Sequence, residues 1–429
     1  MWTAFKNAFR IPELRERIIF TLLMLIVYRL GVYIPIPGIN LSEWSNVFQS
    51  FQSGAAGGLF SFYDVFAGGA LQQFSIMMMS VTPYINASII LQLLMSVVPS
   101  LKELSKEGEE GKKKLAKITR YLTVALAVLQ GFILSFSISR NPALIVEGIA
   151  PFFFVFVSTI TIVAGTMFAI WLGERITEKG IGNGISVLIF AGIVARFPSY
   201  VGQAIVGQLG IMEWLIMLAV MLAMIIGIIY VQQGERRVRV QYAKRVTGRK
   251  VYGGQTTYIP MKVNQSGVIP IIFGQAIMII PAAIASMSNS PALERWLGTG
   301  GYLYVPIYAV LIFFFSYFYS IITFDVHDVS DNIKRYGGFI PGIRPGAPTE
   351  RYLTRILNKM TFMGAMFLVI IAVIPYLLSG ILGINIWIGG TSALIAVGVS
   401  LDVIQQMEQH MIMRNYDGFM KKGRLKGRR

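Results

Sequence analysis

Ten stretches of mostly apolar residues, bounded by charge, glycine or proline, constrain this chain more than any other feature of it. They lie at residues 18–36, 71–98, 118–138, 151–172, 184–198, 211–232, 267–287, 304–324, 360–380 and 384–404. A bilayer core of about 30 Å is crossed by about 20 apolar residues of helix, so runs of this size read as membrane-spanning helices. The fifth is the weakest, its apolar stretch reaching only from Ile185 to Phe197. Composition excludes a soluble multidomain enzyme that merely buries these runs. Of 429 residues, 14% are charged and 55% hydrophobic, against about 25% and about 45 to 50% in soluble domains. The surfaces of soluble domains need more charge than this.

A net charge of +17 and a mean hydropathy of +0.62 coexist only if charge and apolar surface are segregated along the chain. With the N-terminus in the cytoplasm and ten crossings, all of the 38 Lys and Arg except Arg29, Arg140, Arg196 and Arg295 fall in cytoplasmic segments. Lys and Arg mark the cytoplasmic side, so both termini are expected there. Without a crossing at residues 184–198, the basic residues from Arg236 to Lys262 would lie outside, and the same rule rejects that. Lys6, Arg10, Arg15 and Arg17 precede the first span as in a signal peptide, but Tyr33, Pro35 and Pro37 follow it in place of a small-residue cleavage site, which predicts a retained helix. The expected fold is an all-α polytopic membrane protein. Its two five-helix halves, 18–198 and 211–404, are joined by an uncharged external hinge at 199–210 and flanked by a cytoplasmic N-terminal segment, 1–17, and a basic tail, 405–429. Because five is odd, the halves would be inverted relative to each other.

Residues 57–69 carry an apolar stretch of about nine residues between glycine pairs, which reaches at most ~15 Å as a helix and cannot cross the membrane. Two readings stand: a short helix seated in a cavity of protein or water, or an external amphipathic loop on the membrane surface. In the cytoplasmic loop 232–264, Val238, Val240 and Tyr242 alternate with Arg237, Arg239 and Gln241 before a Thr247-Gly248 turn, a β-hairpin pattern. That hairpin would carry Arg236, Arg237, Arg239, Lys244, Arg245, Arg249 and Lys250. In the loop 325–359, two prolines and four glycines between Gly337 and Gly346 predict a rigid turn that presents Arg344. Topogenic charge near anionic lipid accounts for the tail. Topology alone requires neither a hairpin nor a rigid turn, so the loops read as docking surfaces for an acidic protein face or RNA phosphates.

Catalytic signals are poor. Without cysteine there is no disulfide, thiolate metal site or thiol nucleophile. His327 and His410 are too far apart for a zinc-binding helix pair, no Gly-x-Ser-x-Gly elbow occurs, and Glu107 to Lys112 lacks the glycine and hydroxyl of a phosphate loop. A coupled carrier needs ionisable groups near the bilayer midplane. Only Arg29, Arg196, Asp325 and Asp402 lie in or beside the runs, all near ends where they can snorkel. This counts against the rival reading, a secondary transporter; a third, an intramembrane enzyme, lacks a catalytic pair. The interior polar groups are neutral: Thr82, Asn86, Ser88, Gln92, Gln275, Thr391 and Ser392. Such groups ordinarily bond between helices; on two facing helices they could form a seam that opens without desolvating a charge.

Several stretches carry a family resemblance: Pro35-Ile36-Pro37-Gly38, Pro83-Tyr84-Ile85-Asn86-Ala87-Ser88-Ile89-Ile90, the run from Glu174 to Ser186, Gly267-Val268-Ile269-Pro270 and the run from Pro341 to Gly346. On these residues the chain resembles the SecY family, the channel subunits of bacterial protein translocases, over essentially its whole length. The resemblance implies an hourglass channel between the two halves, in the bacterial plasma membrane, that passes unfolded secretory polypeptides and releases hydrophobic segments sideways into lipid. It implies a plug at 57–69, with Leu59, Phe60, Phe62, Tyr63, Val65 and Phe66. A constricting ring falls on Val81, Ile85, Ile185, Ile189, Ile272 and Ile395, with Val81 where isoleucine is common in the family. A lateral gate between the second and seventh spans would include Asn86, Gln92 and Gln275. The basic loops would dock the SecA motor ATPase and the ribosome, through ribosomal RNA, with Arg344 the leading residue. SecE and SecG are implied as membrane partners, signal sequences as ligands of the gate, and no cofactor or metal.

Overall fold

The computed structural model describes residues 11–53, 64, 66–206, 210–242, 245–247, 250–252, 256–287, 291–297, 301–382 and 390–422. Two compact units emerge, one of residues 1–203 with 399–429 and one of residues 204–398. The first holds α1 (Pro12–Val32), α2 (Leu41–Ser53), α3 (Thr82–Val97), α4 (Pro99–Lys106), α5 (Glu109–Ser139), α6 (Pro151–Lys179) and most of α7 (Gly184–Val206). The second holds α8 (Ile211–Gln233), β1 (Glu235–Tyr242), β2 (Arg245–Thr247), β3 (Lys250–Tyr252), β4 (Thr256–Lys262), α9 (Ile269–Met287), α10 (Pro291–Leu297), α11 (Tyr304–Thr323), α12 (Val326–Arg335), β5 (Gly338–Phe339) and α13 (Ala347–Leu382). It also holds the start of α14 (Gly390–Lys422), whose remainder belongs to the first unit.

Each apolar run coincides with a helix over part or all of its length. By length and apolarity, α5, α6, α8, α11 and α13 can each cross a bilayer, α11 heading a helical stretch that runs on to Arg335; α3 with α4, bent by 104°, adds one more if the pair counts as a span.

The second run, expected as one helix from 71 to 98, is helical only from Thr82. Residues 71–81 instead form turns pinned to the loop after α1: Ile36 donates its N–H to Phe74 O at 2.9 Å and Ile76 donates to Ile34 O at 2.9 Å. Phe74 and Ser80 take positive φ of 44° and 47°, uncommon for residues with a side chain. The hydroxyls of Ser80 and Tyr28 bond at 2.7 Å. Irregular backbone at membrane depth survives only when protein or water satisfies it, and Phe74, Met77, Ser80 and Val81 are almost wholly buried. A Cβ on Gly165 of α6 would meet Ile76 O at 1.8 Å, so this glycine lets α6 press against the irregular strand of chain.

Small residues set the packing of the first unit. Thr119, Thr123, Ala127, Gly131 and Ser135 recur every fourth residue along α5 and all are buried. They form one helical face, and α6 answers with buried Ser158, Ile162, Gly165, Thr166 and Ala169. Ser135 and Ser158 share a hydroxyl hydrogen bond. Between lipid-embedded helices, close approach of small side chains supplies the packing that the hydrophobic effect cannot. The amphipathic helix α2, absent from the sequence reading, buries Trp44 and Phe48 among Ile36, Leu71, Phe74 and Phe154, with Trp44 Nε1 donating to Leu71 O at 3.1 Å.

In the second unit, Met224, Ile228, Ile271, Met278, Tyr308, Ile312, Leu368 and Leu394 form the bundle core. A separate core lies beneath the sheet β4-β1-β5, which is antiparallel throughout and registers Val238 with Ile259 and Gln241 with both Thr256 and Phe339. Val238, Val240 and Met261 pack there on Ile333 of α12 and Leu353, Ile356 and Leu357 of α13. The expected hairpin is therefore part of something larger. The two long loops, read separately from the sequence, fold into one sheet domain, with β2 and β3 pairing as a further hairpin, Val246 opposite Val251.

Candidate functional site

The stretch from Glu174 to Ser186 is a joint. Thr177 Oγ1 accepts from Gly184 N at 2.8 Å, Asn183 Oδ1 accepts from Ile185 N at 3.2 Å and Ser186 N at 3.3 Å, and Thr21 of α1 accepts from Ile181 N at 3.1 Å. Gln406 of α14 accepts from Gly182 N at 2.8 Å. A Cβ at Gly184 would meet Gly173 O at 1.8 Å, so the turn closes tightly only with glycine there. This joint fixes where α7 begins, and with it Ile185 and Ile189.

All of the expected ring residues lie within the first two turns of a helix or at its cap. Val81 caps α3 and is fully buried, while Ile85, in the first turn, is half-buried. On α7, Ile185 is half-buried beside Gly173 and Ile189 is buried; their spacing of four places them on one face. In the second unit, Ile272 is half-buried near the start of α9 and Ile395 is buried near the start of α14. Aliphatic groups at helix starts present flexible, uncharged surface that dewets when closed.

Of the expected gate residues, Asn86 and Gln92 are half-buried on α3, and Gln92 Oε1 has no hydrogen-bond partner among the described residues. Gln275, on α9, turns within its own unit and donates to Thr391 Oγ1 of α14 at 3.4 Å. Of the expected plug residues, Leu59, Phe60, Phe62, Tyr63 and Val65 lie outside the described residues; Phe66 is buried, 4% exposed.

On the sheet domain, Arg236, Arg237 and Arg239 are exposed along β1 while Val238 and Val240 face inward. Arg237 Nε donates to Glu235 Oε1 at 2.6 Å, which partly neutralises it. Arg245 and Lys250 fall in β2 and β3; Lys244 and Arg249 lie outside the described residues. Arg344 is exposed on a turn in which Gly337, Gly342 and Gly346 have φ of 69°, 82° and 97°, conformations that favour glycine. Thr349 Oγ1 donates to Arg344 O at 2.9 Å and Ser330 Oγ donates to Gly346 O at 3.2 Å, tying the turn to α13 and α12. Between this turn and β5 lies a groove of about 580 Å³ lined by Lys334, Phe339, Ile343 and Arg344.

One expectation is corrected. Arg196 does not snorkel to an interface; it is 8% exposed and pairs with Asp64, which is 1% exposed. In the sequence Arg196 is marked only by its nearness to the end of an apolar run. The one clue to a partner was a lone aspartate between glycines in the short element.

Among the described residues, these two are the only charged side chains buried, and the remaining buried polar groups are neutral. Apolar spans, an interior of mostly neutral polar groups among the described residues and a basic sheet domain fit the class of membrane channels. The chain belongs to the SecY family, whose model matches residues 75–404. It is 61% identical over 431 residues to the protein translocase subunit SecY of Thermotoga maritima, covering all of both chains, and 44% identical over 440 residues to that of Streptomyces scabiei, covering 98% of this chain and all of the relative. Solved structures share the fold at lower identity. One described as "The structure of a protein conducting channel" matches with a TM-score of 0.61 at 18% identity over 93% of each chain. Another, on the plug domain of a SecY protein that stabilises the closed channel, gives 0.60 at 17% over 93% of this chain and 92% of that one, and Sec61 in a canine ribosome-channel complex gives 0.57 at 16% over 93% of each.

Proposed function

We propose that this chain forms a channel for unfolded secretory polypeptides in the bacterial plasma membrane, closed by the aliphatic ring of Val81, Ile85, Ile185, Ile189, Ile272 and Ile395 and by residues 57–69. The observation that carries this reading is the common placement of the ring candidates at the starts of α3, α7, α9 and α14, in a chain related over its full length to translocase subunits. Flexible aliphatic groups yield around side chains of varied size and reseal without binding ions. Hydrophobic segments leave sideways past Asn86, Gln92 and Gln275, a route that exposes no charge to lipid. Ten crossings in two inverted halves put both termini and the sheet domain in the cytoplasm, where the basic residues concentrate. The exposed arginines of β1 and Arg344 then receive the SecA motor or ribosomal RNA, consistent with the ribosome-bound relative. SecE and SecG complete the membrane assembly. Nucleotide chemistry belongs to the motor, and the chain has no catalytic site of its own.

Crosslinking tests this directly, because the chain has no cysteine. A cysteine at Ile85 should form a disulfide with one placed in a stalled secretory chain, whereas a cysteine at Leu129, exposed on the outer side of α5 at 56%, should not. Equal crosslinking at both positions, or none at Ile85, rejects the ring.

A further inference from the structure

The buried pair of Asp64 and Arg196 has a use that the ring and the docking surfaces leave open. Asp64 begins the turn that leads into the chain before α3. Its Oδ2 pairs with Arg196, its Oδ1 accepts from Gln72 N at 3.0 Å and its carbonyl accepts from Gly69 N at 2.8 Å. The same turn rests on the backbone of α7: a Cβ at Gly68 would meet Gly192 Cα at 2.8 Å, and one at Gly69 would meet Arg196 Nε at 3.1 Å. On its other side, Arg29 of α1 donates to Gly68 O at 2.6 Å. A turn without room for side chains is thus gripped by two arginines and joined to α7 by a full ion pair.

Apolar packing would hold the turn equally well in lipid or protein. An ion pair behaves differently. Separated in a dry interior, each charge is left uncompensated, while separated in water both are solvated. The attachment is strong when the surroundings are dry and weak when they are wet.

We propose that Asp64 and Arg196 are positioning residues that latch this turn to α7 in the closed channel, and that water entering with a translocating chain releases it. The latch rests on the channel reading given above. Vesicles bearing the full-length chain together with SecE and SecG, supplied with SecA and ATP, would be compared for ion conductance at rest and for import of a secretory polypeptide. Asp64→Asn and Arg196→Gln singly should raise resting conductance about tenfold or more, since each leaves a buried charge unpaired, and the two together, with no attraction left across the contact, should leak less than either single variant but more than the parent. The exchange Asp64→Arg with Arg196→Asp should bring conductance back toward the parent. The neutral double variant guards against misfolding, since it leaves no lone buried charge. If it is as tight as the parent, or if the exchanged pair leaks as much as the single variants, the latch is wrong. Ile85→Ser serves as the control for the channel itself. A parent that imports, with Ile85→Ser leaky and the Asp64 variants tight, rejects the latch alone; a parent that imports nothing rejects the channel reading and the latch with it.

Discussion

Arg344 shows what a single residue contributes when backbone geometry presents it. Its turn is fixed by glycines in the left-handed region and by two hydroxyl hydrogen bonds, so its guanidinium is held out at little entropic cost. Arg344→Glu should leave insertion and folding intact yet reduce motor-driven secretion about tenfold or more, as reversal of a docking charge does; unchanged secretion by a stably expressed variant removes its docking role. Ile272→Ser should raise resting ion leak by loosening the aliphatic closure, read as conductance in planar bilayers. The turn that carries Arg344 was legible in the sequence because proline and glycine spacing encodes a turn locally. Arg196 was not, since its partner lies on a distant part of the chain and nothing in a run of apolar residues reveals which charge will be enclosed.

At the scale of elements, helices were legible wherever apolar residues ran on without interruption, and α5 and α6 also carry their packing in their sequence as small residues at intervals of four. Residues 71–81 are equally apolar but not helical, because hydrogen bonds to the loop after α1 and close contact with Gly165 determine their path. Hydropathy records the burial and is silent on the backbone. Gly165→Ala should therefore cost about 1–3 kcal/mol by forcing α6 from that contact, seen as a lower midpoint of thermal unfolding in detergent. The helix α12 carries a pH dependence. His327 Nδ1 lies 3.4 Å from Glu350 Oε2, and its Nε2 lies 3.7 Å from Asp331 Oδ2. The hydrogen bond to Glu350, aided by the charges of Asp331 and Glu350, raises its pKa above the ordinary 6.5. The folded state thus favours the protonated ring. Its stabilisation is complete below the ordinary value and is lost as pH climbs through the raised one. Amide-exchange protection across Val326–Arg335 should fall over that rise, after correction for intrinsic exchange, and His327→Gln should remove the dependence.

For the molecule as a whole, the helical class with several apolar spans was legible, but the union of two distant loops into one sheet domain was not, because β5 contributes only two residues and pairs across a long sequence interval. The shared core makes the loops depend on each other. Val240→Asp, which places an unpaired charge at a position 1% exposed, should cost several kcal/mol. Limited trypsin digestion should then cut between Arg236 and Arg239 and after Arg335 at matching rates, both faster than in the parent; faster cutting at one site alone would mean that the loops fold independently. The bend after α3 also bears on the surrounding bilayer. With 16 residues before a 104° turn, α3 covers roughly 24 Å of depth against a hydrocarbon thickness of about 30 Å. The rest of that depth falls to the buried turns of residues 71–81, so a segment lying against α3 would find helix along only part of its own length.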